Sequence, residues 1–271
     1  MNKFIFNQIK KKIPKISPTE MIALTSGGTS LDRDILKGKV VLPKKVEPEY
    51  KLPVTMLSDL VTQFDNTTIY PNNNNNYWVD YLAKKKFFSF LIDEKYQGIK
   101  LSTNELSDVL TKIASVDPAL GVVTMVPNSL GPGELLTHYG TEEQKNKYLP
   151  KLANGEYIPC FGLTGPNNGS DATGSIDTGK LTVEDPIFGS VGKKIIEVKI
   201  NKRYITLAPV SNLIGVAFRL EDPHNLLDEG KPGVTLALIE KDTCGLRQET
   251  YHNPMNAGFP NGTLKGNLKI P

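Results

Sequence analysis

The residue types best suited to chemistry are concentrated between Cys160 and Ser175, which read C-F-G-L-T-G-P-N-N-G-S-D-A-T-G-S. Four glycines, a proline and two asparagines make this a tight irregular loop whose backbone can lie close to a ligand. Thr164 and Ser170 add hydroxyls six residues apart. Such a loop offers hydrogen-bond donors and close backbone approach rather than a nucleophile. Gly/Asn/Pro clusters are also ordinary surface turns, and composition by itself does not separate the two readings. The run lacks the Gly-Lys-Ser/Thr ending of a phosphate-binding P-loop, and no G-x-S-x-G elbow supports a hydrolase built on Ser170. His138, His224 and His252 are widely spaced and form no H-x-x-x-H pattern, so no metal site is expected. Cys160 reads as packed beside the loop rather than nucleophilic.

The elements that must position this loop change character around it. Ser102-Thr103-Asn104-Glu105 is a capping box, with Ser102 as N-cap. Leu106, Val109, Leu110, Ile113 and Val116 then recur at helical spacing until Asp117-Pro118 ends the run, which predicts a core-facing amphipathic helix. Trp78, Val79, Tyr81 and Leu82 open another helix, leading into Phe87 to Ile92, and Ala119 to Val126 is a further apolar stretch. Thr141-Glu142-Glu143-Gln144 is a second capping box, for a helix closing at Gly155, which suits a left-handed cap. After Pro159 the period becomes that of strands. Ile195 to Ile200 alternates, Tyr204 to Val210 is β-rich, and Leu213 to Leu220 and Val234 to Ile239 read as buried strands. A helical half followed by a β half is an α+β chain.

Composition bounds the function classes. With 39% hydrophobic and 23% charged residues, the chain can bury a core. A net charge of +3 is too small to argue for nucleic acid. Cys160 and Cys244 give no disulfide framework, which fits a reducing compartment. No apolar run approaches the roughly 18 to 20 residues of a membrane span, so a cytoplasmic location is expected. Ile5, Ile9 and Ile13 beside Lys10 to Lys12 make a basic amphipathic helix, and with it a peripheral contact at the inner membrane, the alternative to a frayed terminus. The tract Asn72 to Asn76 has nothing to bury and is expected as an exposed loop.

The letters of the loop carry more than its composition. From Cys160 to Asp171 the run resembles the flavin- and substrate-binding signature of the acyl-CoA dehydrogenases, roughly C-[FYA]-x-[LV]-T-E-P-x-A-G-S-D. Met125 to Leu136, His138 to Thr141 and Asn201 to Pro209 resemble the bacterial long-chain branch of that family. The likeness runs from about Ile16 to Pro271, departing at Gly165, at Asn167-Asn168 and, in the family's Tyr-Gly-Gly turn, at Gln97.

Residues 1–16 are expected to be poorly ordered, and the resemblance implies a helical N-terminal domain over 17–156 and a β-barrel or β-sandwich middle domain over 157–271. The family's C-terminal four-helix domain, which carries the catalytic carboxylate, is expected to be missing. It implies FAD as cofactor, held by Phe161, Gly162, Leu163, Thr164, Gly169, Ser170, Tyr204, Ile205 and Thr206, with Ser170 also meeting substrate. Thr164 would donate to the flavin ring, Tyr204 would lie against its face and Thr206 near its N5. Alone, Tyr-Ile-Thr is an ordinary strand; its distance from the first loop and its Asn-Lys-Arg lead-in raise it. The implied reaction is oxidation of long-chain acyl-CoA to trans-2-enoyl-CoA, with electrons passed to an electron-transfer flavoprotein. No catalytic residue is assigned, since Glu134 reads as a helix-start carboxylate. The chain alone is then expected to be an inactive fragment or one that needs a homo-oligomer or a complementing C-terminal chain. A non-catalytic acyl-CoA-binding or interaction module that kept the fold is the alternative.

Overall fold

The computed structural model describes residues 7, 21, 35–39, 53–65, 76–129, 131–172, 174, 176–184, 192–228, 230–250, 252–256 and 258–271. The chain divides into two compact units, Met1–Glu49 and Tyr50–Pro271. In the first, the described residues are helical at Asn7, Met21, Ile35 and Leu36. The expectations for the basic start and for Asn72 to Asn75 lie outside the described residues.

Among the described residues of the second unit, six α-helices come first: α1 (Val54–Asp65), α2 (Tyr77–Lys84), α3 (Thr103–Val116), α4 (Pro118–Met125), α5 (Pro132–Tyr139) and α6 (Glu142–Ala153). Seven strands follow: β1 (Pro159–Gly162), β2 (Thr178–Val183), β3 (Lys194–Thr206), β4 (Leu213–Glu221), β5 (Val234–Glu240), β6 (Arg247–Thr250) and β7 (Asn261–Ile270). The α+β reading therefore holds.

Local chemistry sets the helix ends. Ser102 accepts from the Glu105 N–H at 3.3 Å, and the Glu105 carboxylate takes the Ser102 N–H at 2.7 Å. The same exchange joins Thr141 and Gln144. Asp117 stops α3 in an extended conformation and caps α4, accepting from the N–H groups of Ala119 and Leu120. Gly155 adopts φ +74° past the end of α6, and a Cβ there would sit 2.4 Å from the Ala83 carbonyl oxygen. Buried Asn128 ties α4 to the segment after α2: it accepts from the Phe90 N–H and donates to the carbonyls of Phe87 and Thr124.

The strands form one mixed sheet. β1 and β2 both run parallel to β4, pairing with its first and last residues, while β5 lies antiparallel on its other side. From β2 the sheet continues antiparallel through β3, β7 and β6. One core is shared by helices and sheet, with Trp78, Phe87 and Phe90 in the same cluster as Val216, Phe218 and Leu264. Each such side chain contributes about 1.5–3 kcal/mol by leaving water.

Two strand expectations need correction. The β-rich run from Tyr204 ends as strand at Thr206, because Leu207 takes φ +66° and residues 207–210 form a turn. Val234 to Ile239 is a strand, but it is half-exposed rather than buried, because it pairs on one side only.

Candidate functional site

The loop after β1 is held by side chains of its own and by β3. Asn168 is buried, and its Oδ1 accepts from the Gly165 N–H at 2.8 Å. Its amide donates to the carbonyls of Leu163 and Ala172 at 3.3 and 3.1 Å. Gly165 is small for a reason seen here: a Cβ would lie 2.8 Å from Asn168 Oδ1 and 3.0 Å from the Asn201 carbonyl oxygen. The two departures from the family signature thus fit each other in space.

The second segment comes beside the first. The Arg203 N–H donates to the Thr164 carbonyl at 3.0 Å, and Lys202 Nζ donates to the Leu163 carbonyl at 3.2 Å. Between Lys202 and Ile205 the ladder with β7 shifts register, so β3 carries an extra residue. Tyr204 takes φ +56° at this bulge. Simple alternation from buried Ile200 and Lys202 would bury Tyr204 as well; the bulge turns it out, leaving it 53% exposed. Its ring stacks on the His252 imidazole with centroids 4.0 Å apart, and the Arg203 guanidinium stands 5.5 Å from it.

The other expected residues take varied positions. Thr164 and Thr206 are half-buried, and Ser170 and Gly169 are exposed at the far end of the loop. The Asn261 amide donates to Thr206 Oγ1 at 3.4 Å. Asn261 Oδ1 is buried with no hydrogen-bond partner among the described residues. Ile205 is a core residue. Gly162 is buried where a Cβ would come 3.3 Å from Lys202 Cγ and 3.0 Å from Leu264 Cδ1, which accounts for glycine by packing. Phe161 lies across β1 and β4 from Gly215, and lines a cavity of about 670 Å³ together with Leu135, Tyr148 and Leu238. None of the other expected site residues lines that cavity. The structure therefore brings Leu163, Thr164 and Gly165 against Asn201 to Tyr204, and sets Phe161 apart.

Cys160 receives the Ser211 hydroxyl at 3.0 Å, and burial pushes its thiol up to about 12. It is a packed group, unsuited to nucleophilic work. Glu134 sits in the first turn of α5, where a carboxylate complements the helix dipole.

Sequence reasoning missed Lys202, Asp177 and His252. The signal for Lys202 was present, since a lysine falls on the inward phase of Val198 and Ile200. Nothing local marks Asp177 or His252, whose roles come from tertiary approach.

Residues 55–156 match the model of the acyl-CoA dehydrogenase N-terminal domain. An acyl-CoA dehydrogenase of Bacillus subtilis is 30% identical over 164 residues, 60% of this chain and 39% of that protein. Among solved structures, a Bacillus anthracis acyl-CoA dehydrogenase complexed with FAD matches at TM-score 0.66 and 21% identity, over 90% of this chain and 41% of its own. Butyryl-CoA dehydrogenase from Megasphaera elsdenii matches at TM-score 0.64 and 18% identity, over 84% of this chain and 58% of its own. At these identities the structures show a common fold, and the chain spans about two fifths of the Bacillus subtilis relative. Residues 55–156 are thus similar to the acyl-CoA dehydrogenase N-terminal domain, and the fold, continued through the sheet, is that of the acyl-CoA dehydrogenase structures.

Proposed function

We propose that this chain carries the flavin site of a long-chain acyl-CoA dehydrogenase, with a helical domain over 17–156 and a β-barrel middle domain over 157–271. The observation that carries the reading is the apposition of two segments distant in sequence, joined by the Arg203 N–H on the Thr164 carbonyl, with Tyr204 turned outward beside them. The groups there suit an isoalloxazine ring: an exposed aromatic face, the hydroxyls of Thr164 and Thr206, and Asn261 Oδ1 beside Thr206, which finds no hydrogen-bond partner among the described residues. The Bacillus anthracis structure was solved with FAD, which agrees with this assignment.

In this reading Tyr204 stacks on the ring, Thr164 and Thr206 hydrogen-bond its edge, and Ser170 meets both flavin and acyl thioester. Bound FAD supplies the hydride acceptor for oxidation of the Cα–Cβ bond of an acyl-CoA, and an electron-transfer flavoprotein takes up the electrons. The chain's own residues orient the ring and exclude water; the α-proton must go to a carboxylate. Among the described residues, every carboxylate with a resolved shift is held below its usual range: Asp93 by Lys100, Glu142 by Lys145, Asp222 by the Leu226 and Leu227 N–H groups, Glu249 by Lys265. None has the raised affinity for a proton that a base in an apolar pocket acquires. This reading assigns the α-proton to none of these four carboxylates.

Titration of the chain with FAD, followed by flavin fluorescence, tests the reading. Tyr204→Ala should weaken binding about tenfold, the scale of one aromatic stacking contact plus its buried area. Equal affinity in the variant would remove Tyr204, and with it the second segment, from the site.

A further inference from the structure

Lys202 is out of keeping with its place. It occupies the inward phase of β3 after Val198 and Ile200, and its side chain is fully buried. A buried ammonium is costly unless paired and hydrogen-bonded. Its Nζ lies 2.9 Å from Asp177 Oδ2 and donates to the Leu163 carbonyl at 3.2 Å. The same Asp177 oxygen accepts the Asn201 N–H at 3.1 Å, so the anchor is itself fixed to β3. Burial pulls the Lys202 ammonium below the usual lysine range, and Asp177 pulls it part of the way back. The stem passes against Gly162, where a Cβ would approach Lys202 Cγ to 3.3 Å. Leu163 immediately precedes Thr164, and Lys202 stands two residues before Tyr204.

We propose that Lys202 is a positioning residue of the flavin site: locked to Asp177 inside the sheet, it grips the Leu163 carbonyl and so fixes the loop bearing Thr164 against the bulged strand bearing Tyr204 and Thr206. The proposal rests on the flavin reading for its purpose, and on the geometry alone for its mechanical part. A well-packed apolar residue would stabilise the sheet as well as this ion pair does. What it would not supply is a charged donor to a loop carbonyl.

Two measurements on the full chain test this with the variants Lys202→Met and Asp177→Asn. The first is hydrogen exchange of the Gly165 and Arg203 amides without ligand, with the Ile113 amide in α3 as internal control. The second is FAD affinity by fluorescence titration. Lys202→Met should speed exchange at 165 and 203 about tenfold or more, the scale of one charge-assisted hydrogen bond, and leave Ile113 unchanged. It should weaken FAD by a similar factor, and Asp177→Asn should do the same to a smaller extent. Faster exchange at the loop in a chain that binds no FAD even as wild type would uphold the positioning role and remove the flavin reading. Unchanged loop exchange would overturn the proposal, whatever happens to FAD affinity. Exchange rising equally at Ile113 would overturn it too, since Lys202 would then be a global structural residue. If Lys202→Met does not fold, Asp177→Asn carries both readouts with the same criteria.

Discussion

Gly165 and Asn168 are each a departure from the family signature, and the geometry makes them one feature. In Gly165→Ala the new Cβ would stand 2.8 Å from Asn168 Oδ1 and 3.0 Å from the Asn201 carbonyl oxygen. Gly165 is not among the residues with positive φ, so the penalty is spatial and not conformational. The Asn168 side chain must then move, and its 2.8 Å bond from the Gly165 N–H is the first to go. Losing a bond at a buried amide costs about 1–3 kcal/mol. For a chain of this size, 2 kcal/mol lowers the melting temperature by about 4–8 °C. Asn168→Ala alone should cost a similar amount by stripping the loop of its bonds, although Lys202 still holds the Leu163 carbonyl. In the double variant the bulk at 165 no longer meets Oδ1, so the losses should fall short of their sum by about 1–2 kcal/mol. Urea unfolding of the four proteins, with equal m-values required, measures that coupling. Additivity to within about 0.5 kcal/mol would refute the claim that the two residues answer each other.

Three further outcomes follow. Gln97 ends the turn after α2 with φ +69°, so Gln97→Gly, the family's residue, should raise stability by about 1 kcal/mol in the same unfolding assay; no gain would mean the left-handed geometry is not strained. Cys160 is buried and Cys244 exposed, so at pH 8 a thiol reagent should titrate one group rapidly and the second only on unfolding. The Cys160 thiol rises from 9.0 to about 12 on folding, so the folded state holds its proton longer than the unfolded one. Its contribution is complete below pH 9 and is lost as pH climbs toward 12; an alkaline melting series that falls less steeply in Cys160→Ser than in the parent checks the sign.

The helical half was legible because its signals are local. Ser102 with Glu105 and Thr141 with Gln144 specify their helix starts within four residues, and Asp117-Pro118 carries both a stop and a start. The β half was legible only where one face is buried and the other wet, as along Ile195 to Ile200. β2 and β6 escaped notice, and β7 was not read from its residues. T-G-K-L-T-V, R-Q-E-T and N-G-T-L-K-G-N-L-K-I are polar or glycine-laden, and they become strands through the partners they pair with. The letters pointed to Thr164 and Tyr204 as candidates but could not show how these residues are oriented. The outward turn of Tyr204 depends on a bulge at Arg203-Tyr204, a one-residue mismatch between β3 and β7 that neither strand reveals alone. Gly162 was read as a ligand contact, and Lys202 and Leu264 also give it a packing reason.

Flavin retention tests the central claim most directly. The purified chain is incubated with FAD, freed of excess cofactor by desalting, and its visible spectrum recorded before and after palmitoyl-CoA. The proposed reading predicts that flavin stays with the protein, held at Thr164, Tyr204 and Thr206, and does not bleach, because it assigns no base among the described residues. A chain that emerges colourless would contradict the flavin site itself, and a bound flavin that bleaches would require a base within residues 1–271.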